Sequence, residues 1–120
     1  MKEVIRWGII GCGDVVETKN GPAFYLAEGS ELAGIWNRTK SKAVDWCQRH
    51  GHGHAYDSLE ELLEDPTIDI IYVATPPNVH KQYAIQVAQA HKHCYLEKPI
   101  ALSWEEAEEI LFEENLNWLL

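Results

Sequence analysis

The sequence predicts a doubly wound α/β fold, a parallel sheet covered by helices on both faces. Three observations lead there. Short apolar runs alternate with stretches of helical composition, the runs end in glycine, proline or a polar pair, and neither a tandem repeat nor a low-complexity linker interrupts them. A chain of 120 residues holds one such unit around one body of core, so residues 1–120 are taken as a single domain.

Val4, Ile5, Trp7, Ile9 and Ile10 form a nearly continuous apolar run stopped by Gly11, as expected of a strand buried on both faces. From Asp14 a helix is expected. It is interrupted at Gly21-Pro22, because proline fits only a first turn, restarts through Ala23, Phe24, Tyr25 and Leu26, and is closed by Gly29-Ser30. Leu32 to Trp36 is the second strand, and Lys40 to His50 the next helix, with Gly51 where a left-handed C-terminal cap is wanted. Ala55-Tyr56 reads as a short strand. Ser58 and Glu61 make a capping box ahead of Leu59, Leu62 and Leu63, so a short helix starts there and stops at Asp65-Pro66. Ile68 to Thr75, rich in β-branched residues, is the strongest strand signal, and Pro76-Pro77 cannot continue its ladder. Val79 to His91 places Tyr83, Ala84, Val87 and Ala88 on one helical face. His93 to Leu96 is a fifth strand. Ser103 and Glu106 open a last helix with Trp104, Ala107, Ile110 and Leu111 on its apolar side.

Nineteen acidic against ten basic residues give a formal charge of -9, a field that repels nucleic-acid backbones and anionic lipid. No apolar run approaches the ~18 residues of a membrane helix. Nucleic acid and membrane are therefore excluded as partners, and any anionic ligand must be held by local dipoles and a few placed cations. Cys12, Cys47 and Cys94 are an odd set without C-x-x-C spacing, and the N-terminus lacks a signal-peptide core, so a reducing, cytoplasmic setting is expected.

Ligands of such a sheet bind beyond the carboxyl ends of the strands, which makes the loops at Gly11, Asn37, Thr75 and Glu97 the candidate site. Gly11-Cys12-Gly13-Asp14-Val15-Val16 follows a strand and opens a helix, the context in which a glycine pattern points to a dinucleotide. Gly11 permits the turn and Gly13 lets the backbone approach a pyrophosphate, while Val16 replaces the usual third glycine. Asn37-Arg38 stands where an NAD site places a carboxylate for the adenosine ribose. A neutral amide and a guanidinium suit a 2′-phosphate instead, so NADP is the expected cofactor, with NAD as the alternative. Thr75-Pro76-Pro77-Asn78 is read as a rigid loop bordering a flat ring system, with His80 either beside the cofactor or a plain loop histidine. Glu97-Lys98-Pro99 closes the fifth strand on the same edge, and a lysine there can favour an alkoxide-like substrate during hydride transfer. His50, His52 and His54 alternate with glycine but lack acidic or thiolate partners, and read as a polar turn rather than a metal site.

Gly-Ile-Ile-Gly-Cys-Gly-Asp at 8–14, Gly-Pro-Ala-Phe at 21–24, Tyr-Val-Ala-Thr-Pro-Pro-Asn-Val-His at 72–80 and Tyr-Leu-Glu-Lys-Pro-Ile-Ala-Leu at 95–102 resemble the N-terminal half of the glucose-fructose oxidoreductase and inositol dehydrogenase family. The resemblance implies a Rossmann domain binding NAD or NADP, with Lys98 in the position of the family's active-site lysine and sugar, polyol or related alcohol and carbonyl substrates. It also implies a second, substrate-binding domain, which has no counterpart before the sequence stops at Leu120. This chain alone is therefore expected to bind a nicotinamide dinucleotide without appreciable turnover, and to take a small-molecule substrate only if a second domain is supplied. The competing expectation is a non-catalytic module that binds nucleotide or dimerises. Ile110, Leu111, Leu116, Trp118, Leu119 and Leu120, with a fifth strand left at the sheet edge, suggest a homodimer through the C-terminal end.

Overall fold

A computed structural model describes residues 4–13, 21–75 and 77–96, with Pro77, Asn78, His80 and Leu96 placed by their backbone alone. The elements run β1 (Ile5–Ile10), α1 (Ala23–Leu26), β2 (Ser30–Trp36), α2 (Lys40–His50), β3 (His54–Ala55), α3 (Leu59–Glu64), β4 (Ile70–Val73), α4 (Pro77–Gln89) and β5 (His93–Leu96). The five strands form one sheet in the order β3-β2-β1-β4-β5, and every pairing is parallel. Trp7, Gly8, Ile9 and Ile10 of β1 stand opposite Ile70, Ile71, Tyr72 and Val73 of β4. The chain leaves β1 in one direction for β2 and β3 and returns on its other side for β4 and β5, so the strand order reverses between β1 and β4.

Alternation along the strands splits the core in two. Ile10, Ala33, Ile71 and Val73 face α3 and α4, where Leu62, Ala84 and Val87 are fully buried. Ile9, Leu32, Ile35 and Tyr72 face the other way, onto Phe24 of α1 and Ala43 and Trp46 of α2. Helices on both faces are what near-continuous apolar strands require, and they explain why Ile9, Ile10, Ile35, Ile71, Tyr72 and Val73 are all at zero exposure.

The local signals act as expected at several ends. Gly51 caps α2 in the left-handed region at φ 68°, its N–H donating to the Cys47 carbonyl. The Ser58 hydroxyl accepts the Glu61 N–H, while the Glu61 carboxylate reaches back to the Asp57 N–H rather than to Ser58 itself. Other limits move. Ser30 belongs to β2, paired with Ile5 of β1, while its N–H and hydroxyl donate to the Ala27 and Phe24 carbonyls and so also close the end of α1. β3 is His54–Ala55, one residue earlier than expected, and Tyr56 turns into the core so that its hydroxyl donates to Asp65 at 2.6 Å. Burial and that hydrogen bond push the Tyr56 phenol well above its usual range. β4 is trimmed to Ile70–Val73, since Ile68 and Asp69 bond outside the ladder to Asp65 and Arg6.

Of the three histidines, His52 lies in the exposed turn that follows α2, while His50 ends that helix and His54 opens β3. His50 stacks on Trp46 at 3.9 Å and meets the Tyr25 hydroxyl at 2.8 Å; His52 stacks on Tyr25 at 4.0 Å. His54 meets Tyr56 edge-on at 4.9 Å. Each thus carries an aromatic neighbour on one side, while His52 and His54 stay exposed to solvent on the other. The expected helix from Asp14, the last helix from Ser103 and the apolar tail lie outside the described residues.

Candidate nucleotide-binding edge

Where the strand order of a parallel sheet reverses, the two flanking loops part and leave a crevice beyond the carboxyl ends. Here those loops follow β1 and β4. The roots of these loops are fixed to neighbouring strands: the Gly11 N–H donates to the Trp36 carbonyl at the end of β2 at 2.9 Å, and the Ala74 N–H to the Ile10 carbonyl at the end of β1 at 2.9 Å. Gly11 has φ +97°, and a Cβ there would meet the Ala74 carbonyl oxygen and Thr75 Cγ2 at 3.2 Å, so both backbone conformation and space demand glycine. Gly13 differs. A Cβ at Gly13 would meet no atom within 4 Å, so packing among the described residues does not account for it. Cys12 packs its side chain against the core on the α2 face, leaving its backbone to the loop surface. Burial, with Cys12 nearby, pushes the Cys47 thiol up to about 11, so it is protonated and unreactive near neutrality.

Thr75 ends this crevice with a buried hydroxyl that has no hydrogen-bond partner among the described residues. A polar atom out of water without a partner costs about 1–3 kcal/mol, and such atoms are rare enough to demand a reason. The orphaned hydroxyl beside two loop glycines fits a ligand rich in hydrogen-bonding groups. The expected Thr75–Asn78 loop is corrected: Pro77, Asn78 and His80 lie in the first turn of α4, because a proline whose missing N–H would be unpaired anyway is well suited to open a helix. Asp14, Val15, Pro76, Glu97 and Lys98 lie outside the described residues.

Beyond β2 a second hollow of about 460 Å³ opens between the β2–α2 turn, the β3–α3 segment and α4. Its walls include Trp36, Asn37, Arg38, Lys40, Asp57 and Tyr83. Trp36 and Tyr83 meet edge-on with centroids 5.8 Å apart, an apolar wall suited to a flat ring. The Asn37 amide donates to the Thr39 carbonyl at 3.0 Å, so its first task is to hold the turn. Arg38 is exposed and has no ion pair among the described residues. Lys40 pairs with Asp57, and the hydrogen bond and charge of that ammonium hold the Asp57 carboxyl below the usual carboxylate range. The sequence reading found Asn37, Arg38 and Thr75 on this edge and missed Trp36, Lys40, Asp57 and Tyr83. For Lys40 a signal existed: a second cation two residues after Arg38, at the start of the helix.

Residues 5–115 match the sequence model of an oxidoreductase family with an NAD-binding Rossmann fold. An oxidoreductase of Formosa agariphila is 44% identical over 107 residues, which is 89% of this chain and 33% of that protein. A scyllo-inositol 2-dehydrogenase (NADP(+)) of Bacillus subtilis is 28% identical over 114 residues, 95% of this chain and 34% of that protein. The solved 3-ketoreductase of Actinomadura kijaniata, in complex with NADP and TDP-benzene, matches with a TM-score of 0.88 at 28% identity, over 95% of this chain and 35% of that one. The chain thus spans about a third of the length of the curated relatives it matches.

Proposed function

This chain belongs to the Gfo/Idh/MocA family of oxidoreductases, as its NAD-binding Rossmann domain, and on that premise we propose that it holds NADP in preference to NAD and serves oxidoreduction of a sugar, polyol or related carbonyl compound. The observation that carries the preference is Arg38: an exposed guanidinium on the hollow beyond β2, without an ion pair among the described residues, following Asn37 where an NAD site would place a carboxylate. Guanidinium donors match phosphate geometry, whereas an acidic side chain would repel it. The 2′-phosphate end would lie in this hollow, with the adenine against the Trp36–Tyr83 wall. The pyrophosphate would lie at Gly11 to Val15, and the nicotinamide end near Thr75, Pro76, Pro77, Asn78 and His80. Among the relatives, the Bacillus subtilis dehydrogenase is named for NADP(+) and the Actinomadura kijaniata reductase was solved with NADP, which supports the same choice.

The bound nicotinamide would supply hydride exchange. This chain's own contribution is to bind and orient the ring and, through Lys98 next to Glu97, to hold a proton at the reacting oxygen of a substrate. Enclosure of that substrate falls to a further domain, since orientation over the ring is a large part of the rate. Residues 1–120 act in this proposal as one cofactor-binding domain in a reducing, cytoplasmic setting; Cys12, Cys47 and Cys94 form no disulfide among the described residues. Self-association through the C-terminal end is also part of it, supported by β5 at the sheet edge. The decisive test is a pair of melting curves. NADP at ~100 times its dissociation constant should stabilise the fold by ~2.7 kcal/mol, and NAD at the same concentration by clearly less. Equal or larger stabilisation by NAD removes the preference.

A further inference from the structure

The hollow beyond β2 holds two cations in different electrostatic states. Among the described residues Arg38 has no ion pair, whereas the Lys40 ammonium is engaged by Asp57, 17 residues on, in the wall of the same hollow. Both side chains of the pair are more than half exposed, at 54% and 68%, so the attraction is screened and the partners exchange readily. Asp57 is nonetheless kept in place: its N–H is fastened to the Glu61 carboxylate at 3.0 Å, ahead of the Ser58 cap of α3. A carboxylate with one negative charge therefore stands where it competes with any stronger anion for Lys40. A phosphate monoester near neutral pH carries about 1.5 to 2 negative charges on three acceptor oxygens and wins that competition.

We propose that Lys40 and Asp57 together set the strength of the NADP preference: Asp57 holds the Lys40 ammonium while the hollow lacks a phosphate, and Lys40 transfers to the 2′-phosphate, beside Arg38, when NADP enters. The inference rests on the reading that this hollow takes the phosphorylated ribose. NAD offers no such anion, so with NAD the Lys40–Asp57 pair stays closed and neither residue contributes. Asp57 is then a built-in moderator. It lowers NADP affinity by the cost of opening one ion pair, and its charge faces the incoming phosphate with the wrong sign.

Dissociation constants of the 120-residue chain for NADP and NAD, from titration calorimetry, test this in three variants. All three sites are exposed, so melting without cofactor should be unchanged and serves as the folding control. Asp57→Asn should tighten NADP by roughly two- to fivefold, the worth of an exposed ion pair, and leave NAD within about twofold. Lys40→Ala should weaken NADP by about tenfold, as expected for a lost charge-assisted contact, again sparing NAD. An unchanged NADP-to-NAD ratio in either variant overturns the inference. Arg38→Ala separates the two levels. If it collapses the ratio while the Lys40 and Asp57 variants do not, only this inference fails; if it leaves the ratio intact, the placement of the 2′-phosphate fails with it.

Discussion

The two edges of the sheet treat their polar groups in opposite ways. At the amino edge, Lys92 just before β5 is buried, and its ammonium donates to the carbonyls of Asp65 at 2.7 Å and Ile68 at 3.1 Å. Asp65 in turn accepts the Tyr56 hydroxyl, the Thr67 hydroxyl and the Thr67 N–H, and Asp69 accepts the Arg6 N–H at 2.9 Å. Arg6 Nε is an exception, buried without a partner, although the same guanidinium pairs with Glu31. At the carboxyl edge, among the described residues, the Thr75 hydroxyl has no partner, Arg38 has no ion pair and Gly13 has room that no side chain uses. The difference offers a way to sort polar residues: self-partnered groups lower the energy of the chain alone, whereas groups that serve a ligand, as proposed for the carboxyl edge, are compensated only on binding.

If that division is right, a change at one edge should not be felt at the other. The largest effect is expected at Gly13→Leu. It should abolish the ~2.7 kcal/mol that saturating NADP adds, with little change in melting without cofactor, because the leucine fills the approach of the pyrophosphate and not a packed space. A melting curve that falls without cofactor as well would make Gly13 a structural glycine and break the contrast.

Lys92→Met is the mirror experiment. It strands two carbonyls and should cost about 1–3 kcal/mol in denaturant unfolding while NADP affinity stays the same. Loss of affinity in a fully folded variant would show that the amino edge is coupled to the site.

Asp65→Asn adds a pH dependence. Burial pushes the Asp65 carboxyl up, but the hydrogen bonds from Tyr56 and Thr67 and the charge of Arg6 together outweigh it and hold it below 3.8. Between the folded and unfolded values the unfolded chain binds more protons, so stability rises with pH there; the contribution is complete above the unfolded value and is lost as pH falls through the folded one. The variant should therefore be less stable by about 1–2 kcal/mol at pH 7 and approach the parent near pH 2. A gap that widens in acid would reverse the sign of the assignment.

The smallest effect on stability is expected at Thr75→Val, which exchanges an orphaned hydroxyl for a methyl of similar shape. Stability without cofactor should rise, by about 1 kcal/mol as the unpartnered hydroxyl is removed, while NADP binding weakens severalfold. A marked loss of stability would mean that the hydroxyl already has a partner within the protein.

Short-range features were legible because their causes lie within a few residues. β5 runs from His93 to Leu96 as expected, Gly51 adopts the left-handed cap, and Ser58 caps α3 through an N–H three positions on. That Gly11, Gly13 and Arg38 lie beyond the carboxyl ends of β1 and β2 was legible for a similar reason, since each comes within three residues of the end of an apolar run. The start of α4 was placed two residues late, at Val79 instead of Pro77, because Pro77 and Asn78 suit a loop as well as a first helical turn, and the helix is favoured once α4 packs Ala84, Val87 and Ala88 on the sheet.

By itself the sequence determined the class of fold, the alternation of elements, their caps and the edge on which a dinucleotide would be met, since apolar period, glycine placement and capping all act locally. Only the tertiary structure decided the strand order β3-β2-β1-β4-β5, the pairing of Lys40 with Asp57, the carbonyls that Lys92 reaches 24 and 27 residues away, and the stacking of His50 and His52 on Trp46 and Tyr25. Those depend on which helix covers which face of the sheet, and a side chain's partner across such a gap is chosen by packing of the whole core, which no window of neighbouring residues contains.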